Sequence, residues 1–181
     1  MRVAITGGIA EGKSTVLSEL AALGFATASS DSMAQEVLAG PQVQAIVAEK
    51  LHLPLPLDRS ALRATLAGDP GARRILNQVM HPRILAVLRS TTATFIEVPL
   101  LFETCLQGEF DRVWTVTCGS EEQRKRLLAR YGEGPHVDQM MAVQLRSRSK
   151  TPFSDRIIRT NQPREHVRAL LLEAVKALLV A

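Results

Sequence analysis

The sequence predicts an α/β fold in which one parallel β-sheet of five strands lies between two layers of helices. Short apolar segments alternate along the chain with segments whose apolar residues recur at helical spacing, and this alternation is typical of a parallel sheet covered on both faces. The first apolar segment, RVAIT at residues 2–6, runs directly into a glycine-rich loop and then into a helical pattern. A ligand is therefore expected beyond the carboxyl ends of the strands.

The N-terminal half continues this alternation. A first helix is predicted over residues 14–23, because its apolar residues recur at helical spacing and Gly24 provides a stop. FATAS at 25–29 predicts the second strand, and SMAQEVLAG at 32–40 predicts a short helix. Residues 42–90 are expected to be mostly helical, with breaks at the LPLPL and GDPG segments, because proline and glycine interrupt helices there.

The C-terminal half contains the other three strands. ATFIEV at 93–98 stops at Pro99, and RVWTVT at 112–117 precedes the charged helical segment SEEQRKRLLARYG. A polar helical segment follows, then RIIRT as the last strand and, from about residue 163, a helix with an apolar face. We expect one domain over residues 1–181, with its core at about 1–40, 91–134 and 151–181, a helical region at about 41–90 and a mobile cover at about 135–150.

Composition and charge narrow the classes of ligand and partner. A hydrophobic fraction of 46% is typical of soluble globular proteins, and no apolar run approaches the roughly 20 residues of a membrane span. Because the first residues lead into the glycine-rich loop rather than a signal-peptide cleavage site, we expect a cytoplasmic protein without a membrane partner. The net charge of +4 indicates an anionic ligand, and a small anion is favoured over nucleic acid because the basic residues lack interleaved aromatics.

The two cysteines, Cys105 and Cys118, lack the spacing of a zinc site. We expect both to be buried free thiols. The sequence does not determine the oligomeric state, and a monomer is favoured.

The glycine-rich loop carries the clearest chemistry. Gly7, Gly12, Lys13 and Ser14 satisfy the pattern G-x-x-x-x-G-K-[ST] between a predicted strand and a predicted helix. Glycines let successive N–H groups wrap around a phosphate, and the start of the following helix adds positive charge. Lys13 would reach the terminal phosphates, and the Ser14 hydroxyl would ligate Mg²⁺. The loop therefore predicts binding of a nucleoside triphosphate.

Three acids lie at or beyond the carboxyl ends of predicted strands, where they could contact a substrate or a metal. Asp31 could accept the proton of an attacking hydroxyl, or it could cap the helix that follows, a role that Ser30 could also take. Glu97 could lie near Mg²⁺ or form an ion pair with a neighbouring basic residue. Glu103 could begin a helix or contact the substrate.

The basic residues around His81 and those between residues 124 and 150 could each have a structural role or contact an anionic ligand. His81 precedes Pro82, which is improbable within a continuing helix, so a bend or a contact to substrate is expected there, and Arg83 favours an anion contact. The later basic residues could form a solvated face, or one or two of them could close over a triphosphate. These later residues are Arg124, Lys125, Arg126, Arg130, Arg146, Arg148 and Lys150.

Several stretches together resemble the dephospho-coenzyme A kinase family. TGGIAEGKSTV is close to the family's glycine loop, LNQVMHPRI at 76–84 resembles its His-Pro segment, and EVPLLFE at 97–103 is nearly its signature. FDRVWTVTCGSEEQRKRLLAR at 110–130 follows its strand and helix, and MMAVQ with the later Asp155 fits its lid and last strand. The similarity covers almost the whole chain, and the His-Pro and VPLLFE segments are its specific part.

This resemblance implies a three-layer P-loop kinase fold and an ATP-dependent kinase, with Mg²⁺, that phosphorylates the ribose 3'-hydroxyl of the small molecule dephospho-coenzyme A. It implies that residues 41–90 lie on the acceptor side and that 135–150 form the lid. Lys13, Asp31 and Arg146 would be catalytic, and Ser14 and Glu97 would hold the metal. The substrate would contact Asp31, His81, Arg83, Leu101 and Glu103. The nucleotide would contact Gly7, Gly8, Ala10, Glu11, Gly12, Lys13, Ser14, Thr15, Arg130 and Asn161.

The chain departs from the family pattern at a few positions. Ala10 and Glu11 replace a glycine and a small residue of the loop, and Glu97 replaces an aspartate. Ser29 stands in place of the first of two acids, and Thr160 in place of an asparagine. Two other functions stay open: a kinase of the nucleoside-monophosphate type with a different acceptor, and a nucleotide switch without acceptor chemistry.

Overall fold

The computed structural model describes residues 1–180 and contains the parallel sheet expected from the sequence. Neighbouring strands are all parallel, so their carboxyl ends share one edge. The order across the five-stranded sheet is β2-β3-β1-β4-β5. The strands are β1 (Val3–Thr6), β2 (Thr27–Ser29), β3 (Phe95–Glu97), β4 (Arg112–Thr117) and β5 (Arg156–Arg159). The predicted fold class is confirmed.

The helices lie close to where the sequence periodicity predicts them. The segment at 135–150 forms two helices, with residues 143–146 between them. No helix within residues 1–180 is both long enough and apolar enough to cross a membrane. The helices are α1 (Lys13–Ala22), α2 (Ser30–Ala39), α3 (Pro41–Leu51), α4 (Arg59–Gly68), α5 (Pro70–Ser90), α6 (Ser120–Tyr131), α7 (Pro135–Ala142), α8 (Ser147–Lys150) and α9 (Arg164–Val180).

The chain divides into two compact units. Residues 1–29 and the chain from residue 92 onward form the first, which contains every strand and is called the sheet unit below. Residues 30–91 form the second, which contains α2 to α5 and is called the helical unit.

The core of the sheet unit is built on its central strands. Val3 and Ile5 of β1 are fully buried, because a strand with parallel neighbours on both sides is covered on both faces. The ring of Phe95 packs against Phe25 at 5.3 Å and against Trp114 at 5.2 Å. The predicted apolar face of α9 is also present, with Val167, Leu171 and Ala174 in this core.

The helical unit has its own aliphatic core. Val47, Leu62 and Val79 are buried there, and partly buried leucines from α2 to α5 pack around them. Asp58 caps α4, since its carboxylate accepts the N–H groups of Ser60 and Ala61, both at 3.1 Å. The hydroxyl and N–H of Ser60, followed by the N–H of Ala61, lower the pKa of Asp58.

The His-Pro segment does not end or interrupt its helix. α5 runs from Pro70 to Ser90 with Pro82 inside it, so the helix continues through a residue pair that is improbable there on sequence grounds. His81, Pro82 and Arg83 are exposed, which leaves the proline ring on the solvent side of the helix. Proline removes one backbone hydrogen bond, and the Arg83 guanidinium donates to the Val79 carbonyl at 2.6 Å close to this defect.

One of the two cysteine predictions is wrong. Cys118 is a buried free thiol, as expected, at the end of β4. Cys105 is exposed; it is the last residue of the turn segment that follows β3 and has a positive φ of 56°. Burial raises the pKa of the Cys118 thiol to about 11, although the nearby Arg126 acts in the opposite direction.

Candidate active site

The glycine-rich loop connects β1 to α1 at the carboxyl edge of the sheet. Gly12 has a φ of 91° and is the residue before α1, a left-handed conformation that favours glycine. A Cβ on Gly7, whose φ is 147°, would lie 2.3 Å from the Val116 carbonyl oxygen. A Cβ on Gly12 would lie 2.9 Å from Thr160 Oγ1. Close packing on β4 and on the end of β5 therefore requires glycine at both positions.

Lys13 is folded over this loop. Its Nζ donates to the Gly8 carbonyl at 2.8 Å and lies 3.9 Å from Glu97 Oε1, and the side chain is buried. Ser14 follows in the first turn of α1 and is exposed. An ion pair with a basic residue, one of the two roles expected for Glu97, is therefore present, and it places Lys13 beside the last residue of β3.

Ala10 occupies a strained position in the loop. Its φ is 60°, a left-handed conformation in which a Cβ is unfavourable by about 1 kcal/mol. This is the position where the resembling family has glycine, so the departure has a conformational consequence.

Glu11 is turned inward and is 2% exposed. Its Oε2 accepts the Gly8 N–H and the Ser147 hydroxyl, and its Oε1 accepts the Thr117 hydroxyl at 3.0 Å. Burying a carboxylate is unfavourable unless donors surround it, and these neutral donors supply that environment. The loop acid is therefore satisfied by the protein's own groups.

A cavity of about 250 Å³ lies beside the loop in the sheet unit. Arg146 and Arg148 line it, both are exposed, and neither is ion-paired with an acid within residues 1–180. Two unpaired guanidinium groups beside a glycine-rich loop favour an anionic ligand. The remaining lining residues are Gly8, Ile9, Glu11, Thr117, Gly119, Ser120, Gln123, Met140, Met141, Gln144, Leu145 and Ser147.

Thr160, the residue after β5, binds the backbone of the loop. Its hydroxyl donates to the Glu11 carbonyl at 2.7 Å, and Arg126 in turn donates to the Thr160 carbonyl at 2.7 Å. Asn161, predicted to contact the nucleotide, is exposed one residue further on. Arg130, also predicted there, is exposed at the end of α6 with its guanidinium 5.3 Å from the Tyr131 ring centre. Their nucleotide contacts stay predictions.

Residues 144–150 are attached to the rest of the sheet unit at several points, and we call them the anchor segment. The Ile9 N–H donates to Gln144 Oε1 at 3.0 Å, and the Leu145 N–H donates to Glu103 Oε1 at 2.9 Å. Lys150 is fully buried and donates to the Pro99 carbonyl at 2.9 Å. It also pairs with Glu103 at 3.1 Å, so Glu103 is occupied by the protein itself.

The predicted acceptor residues fall in both units. Asp31 is the second residue of α2 and is exposed, so it does not cap that helix; a carboxylate there is favourable to the helix dipole. His81 and Arg83 lie exposed on α5. Leu101 is fully buried in the sheet unit, where its side chain is a core group, and its contact with substrate stays a prediction.

Sequence reasoning did not assign several polar residues that surround the loop. Ser147, Thr117 and Thr160 bind Glu11, while Gln123 donates to the Ile9 carbonyl at 2.9 Å. No local pattern marks them, because they lie more than a hundred residues from their partners. The resemblance marked Thr160 as a departure from the family pattern, although without these contacts.

The strand order and the lysine-bearing loop define the class of protein: this is a P-loop kinase fold. The family model described as dephospho-CoA kinase matches residues 1–165. The chain belongs to the dephospho-CoA kinase family, and it is a kinase.

Curated relatives agree with this membership, and a solved structure shares the fold over nearly the whole chain. A dephospho-CoA kinase from Moorella thermoacetica is 38% identical over 71% of this chain and 68% of its own length. One from Symbiobacterium thermophilum is 32% identical over 97% of this chain and 80% of its own length. A Thermus thermophilus crystal structure has a TM-score of 0.82 at 26% identity, covering 99% of this chain and 96% of that one.

More distant structures share the fold alone. A dephospho-CoA kinase from Campylobacter jejuni has a TM-score of 0.70 at 22% identity, covering 98% of this chain and 96% of that one. A shikimate kinase from Acinetobacter baumannii has a TM-score of 0.59 at 16% identity, covering 99% of this chain and 93% of that one. Small-molecule kinases with different acceptors therefore use this architecture.

Proposed function

We propose that this chain transfers the terminal phosphoryl group of ATP to the ribose 3'-hydroxyl of dephospho-coenzyme A, the final step of coenzyme A synthesis. The observation that carries the proposal is the glycine-rich loop with Lys13 folded over it, in a chain that belongs to the dephospho-CoA kinase family. We also expect the protein to act as a cytoplasmic monomer on this small molecule.

On the donor side, the backbone N–H groups from Gly7 to Thr15 would hold the phosphates at the start of α1. Lys13 would leave the Gly8 carbonyl to bridge the two terminal phosphates. Asn161 and Arg130 would contact the rest of the nucleotide, beyond the end of β5 and on α6.

The metal would be held by few protein groups. Ser14 offers an exposed hydroxyl and Glu97 a carboxylate beside the loop, while no group of three His, Cys, Asp or Glu side chains within residues 1–180 forms a metal site. That donor set fits Mg²⁺, which usually takes one or two protein ligands together with substrate phosphates and waters. When bound, Mg²⁺ supplies neutralisation of phosphate charge.

On the acceptor side, Asp31 would accept the proton of the 3'-hydroxyl. The chain reaches Asp31 two residues after β2 ends at Ser29, and Ser29 pairs in register with Glu97 at the carboxyl edge of the sheet. The hydroxyl oxygen forms the new bond to phosphorus, its proton passes to the carboxylate, and the bond to ADP breaks. His81, Arg83 and the region around them would hold the acceptor.

Arg146 would stabilise charge on the transferring phosphoryl group, with Arg148 beside it. Both guanidinium groups line the cavity next to the loop and have no ion-pair partner within residues 1–180. Because the transition state for phosphoryl transfer is loose, positioning and preset charge supply most of the acceleration. Closure of residues 135–150 would also exclude water from the phosphoryl group.

A test of this function measures ADP formation from ATP and Mg²⁺ with each of several acceptors. The panel contains dephospho-coenzyme A, nucleoside monophosphates and shikimate, with a no-acceptor control. We expect ADP to form only when dephospho-coenzyme A is present, with one molecule of coenzyme A produced for each ADP. Preferential turnover of another acceptor would contradict the proposed substrate. Nucleotide binding without turnover of any acceptor would indicate a nucleotide switch rather than a kinase reaction.

A further inference from the structure

Glu11 joins the phosphate loop to the anchor segment. Its Oε2 accepts both the Gly8 N–H within the loop and the hydroxyl of Ser147, the first residue of α8. Both side chains are nearly inaccessible to solvent, with Glu11 at 2% and Ser147 at 7% exposure. Hydrogen bonds to an ionised acceptor are about twice as strong as neutral ones, so this contact is a firm link.

Other contacts fix the register of the same segment. Ile9 binds Gln144 at 3.0 Å on one side of Ser147, and Lys150 binds the Pro99 carbonyl at 2.9 Å on the other. Ser147 is flanked in sequence by Arg146 and Arg148, which line the cavity beside the loop. The Glu11 carboxylate therefore holds the residue between these two cavity arginines.

We propose that Glu11 is a positioning residue for the phosphoryl transfer: its carboxylate fixes Ser147 against the phosphate loop and thereby presets Arg146 and Arg148. This inference rests on the proposed function. A guanidinium already held in place stabilises developing charge without being ordered at each turnover. Glu11 thus positions the two cavity arginines. Its carboxylate accepts hydrogen bonds from Gly8, Thr117 and Ser147, so it does not repel the phosphates of the nucleotide.

The test compares Glu11→Gln, Ser147→Ala and the double variant with two controls. Ser149→Ala removes an exposed hydroxyl from the same helix, and Glu121→Gln removes an exposed carboxylate from α6. For each protein, hydrogen exchange at the amides of residues 144–150, kcat, the Kd for ATP and the melting temperature are measured.

We expect either single change to speed exchange at residues 144–150 about tenfold and to lower kcat about tenfold, because Ser147→Ala removes the donor of a hydrogen bond to a charged group and Glu11→Gln makes its acceptor neutral. The Kd for ATP should change less than about threefold, because Gly12 and Lys13 are untouched. The double variant should be no worse than the more affected single variant, since both changes act on the same hydrogen bond. The two controls should match the unaltered protein.

Three results would overturn the proposal. The first is unchanged exchange at residues 144–150 in both single variants. The second is a double variant whose losses multiply, or kcat losses that merely follow the melting temperature. The third is tighter ATP binding in Glu11→Gln, which would mean that the carboxylate opposes the nucleotide. Exchange and ATP binding need no acceptor, so they report on this link even if dephospho-coenzyme A proves not to be the substrate.

Discussion

The sheet unit and the helical unit differ in how they treat polar side chains. Every buried polar or charged side chain found within residues 1–180 lies in the sheet unit, and the most telling surround the loop: Glu11, Lys13, Ser147 and Thr160. The buried side chains of the helical unit are apolar, and its candidate residues Asp31, His81 and Arg83 are exposed. We infer that the polar groups around the loop of the sheet unit form a preorganised network. The exposed candidate residues of the helical unit contribute little to its stability.

Within the sheet unit, the largest expected effect is that of Lys13→Ala. Lys13 is buried and bound to the Gly8 carbonyl, so its loss removes a phosphate contact and also a bond that closes the loop. We expect kcat to fall by about 10² to 10³, the usual effect of losing one transition-state donor, together with weaker ATP binding. Steady-state kinetics and equilibrium nucleotide binding measure the two effects. An unaltered kcat would contradict the donor role of the loop.

Leu62→Ala tests the other side of the comparison. Leu62 is buried in the aliphatic core of the helical unit, and such truncations destabilise by about 2–5 kcal/mol through lost burial and a residual cavity. Urea unfolding should show this loss, while ATP affinity below the transition stays within about twofold. Leu55→Ala, at an exposed site of the same unit, is the control and should change stability little. Equal losses for the two leucines would disprove the assigned core.

Cysteine labelling tests burial and charge near the end of β4. With Cys105 replaced by serine, alkylation of Cys118 should be slow at pH 8, because burial raises its pKa to about 11 and little thiolate is present. The rate should rise about tenfold per pH unit up to that pKa, since the thiolate is the reacting form. A rate that levels off near pH 8.5 would show an unshifted, accessible thiol.

The smallest expected effect is that of Ala10→Gly. Ala10 has a φ of 60°, which glycine adopts without a Cβ penalty, although glycine also gives the unfolded chain more freedom. These opposing terms leave a stabilisation of at most about 1 kcal/mol, visible as a small rise in melting temperature. A drop in melting temperature would show that Ala10 is not strained.

The sequence predicted the sheet, the loop and most helices, because these depend on local patterns. Apolar runs mark the strands, and the spacing of Gly7, Gly12 and Lys13 marks the loop. The burial of Leu101 was not predicted, since a leucine within a signature motif can pack in the core as well as contact a ligand. Pro82 was misjudged because an exposed proline in a helix packed on its other face is tolerated. The Glu11–Ser147 contact was out of reach, because it joins residues 136 positions apart.

The most direct test of this account is the split between turnover and ATP affinity in Asp31→Asn. Asp31 is exposed on α2, so its loss should leave folding and ATP binding intact while kcat for dephospho-coenzyme A falls by about 10² to 10⁴, the contribution of a general base. Glu36→Gln, an exposed acid on the same helix, should be unaltered in both respects. A near-normal kcat for Asp31→Asn, or a loss equal to that of Glu36→Gln, would contradict the assignment of acceptor chemistry to the surface of the helical unit.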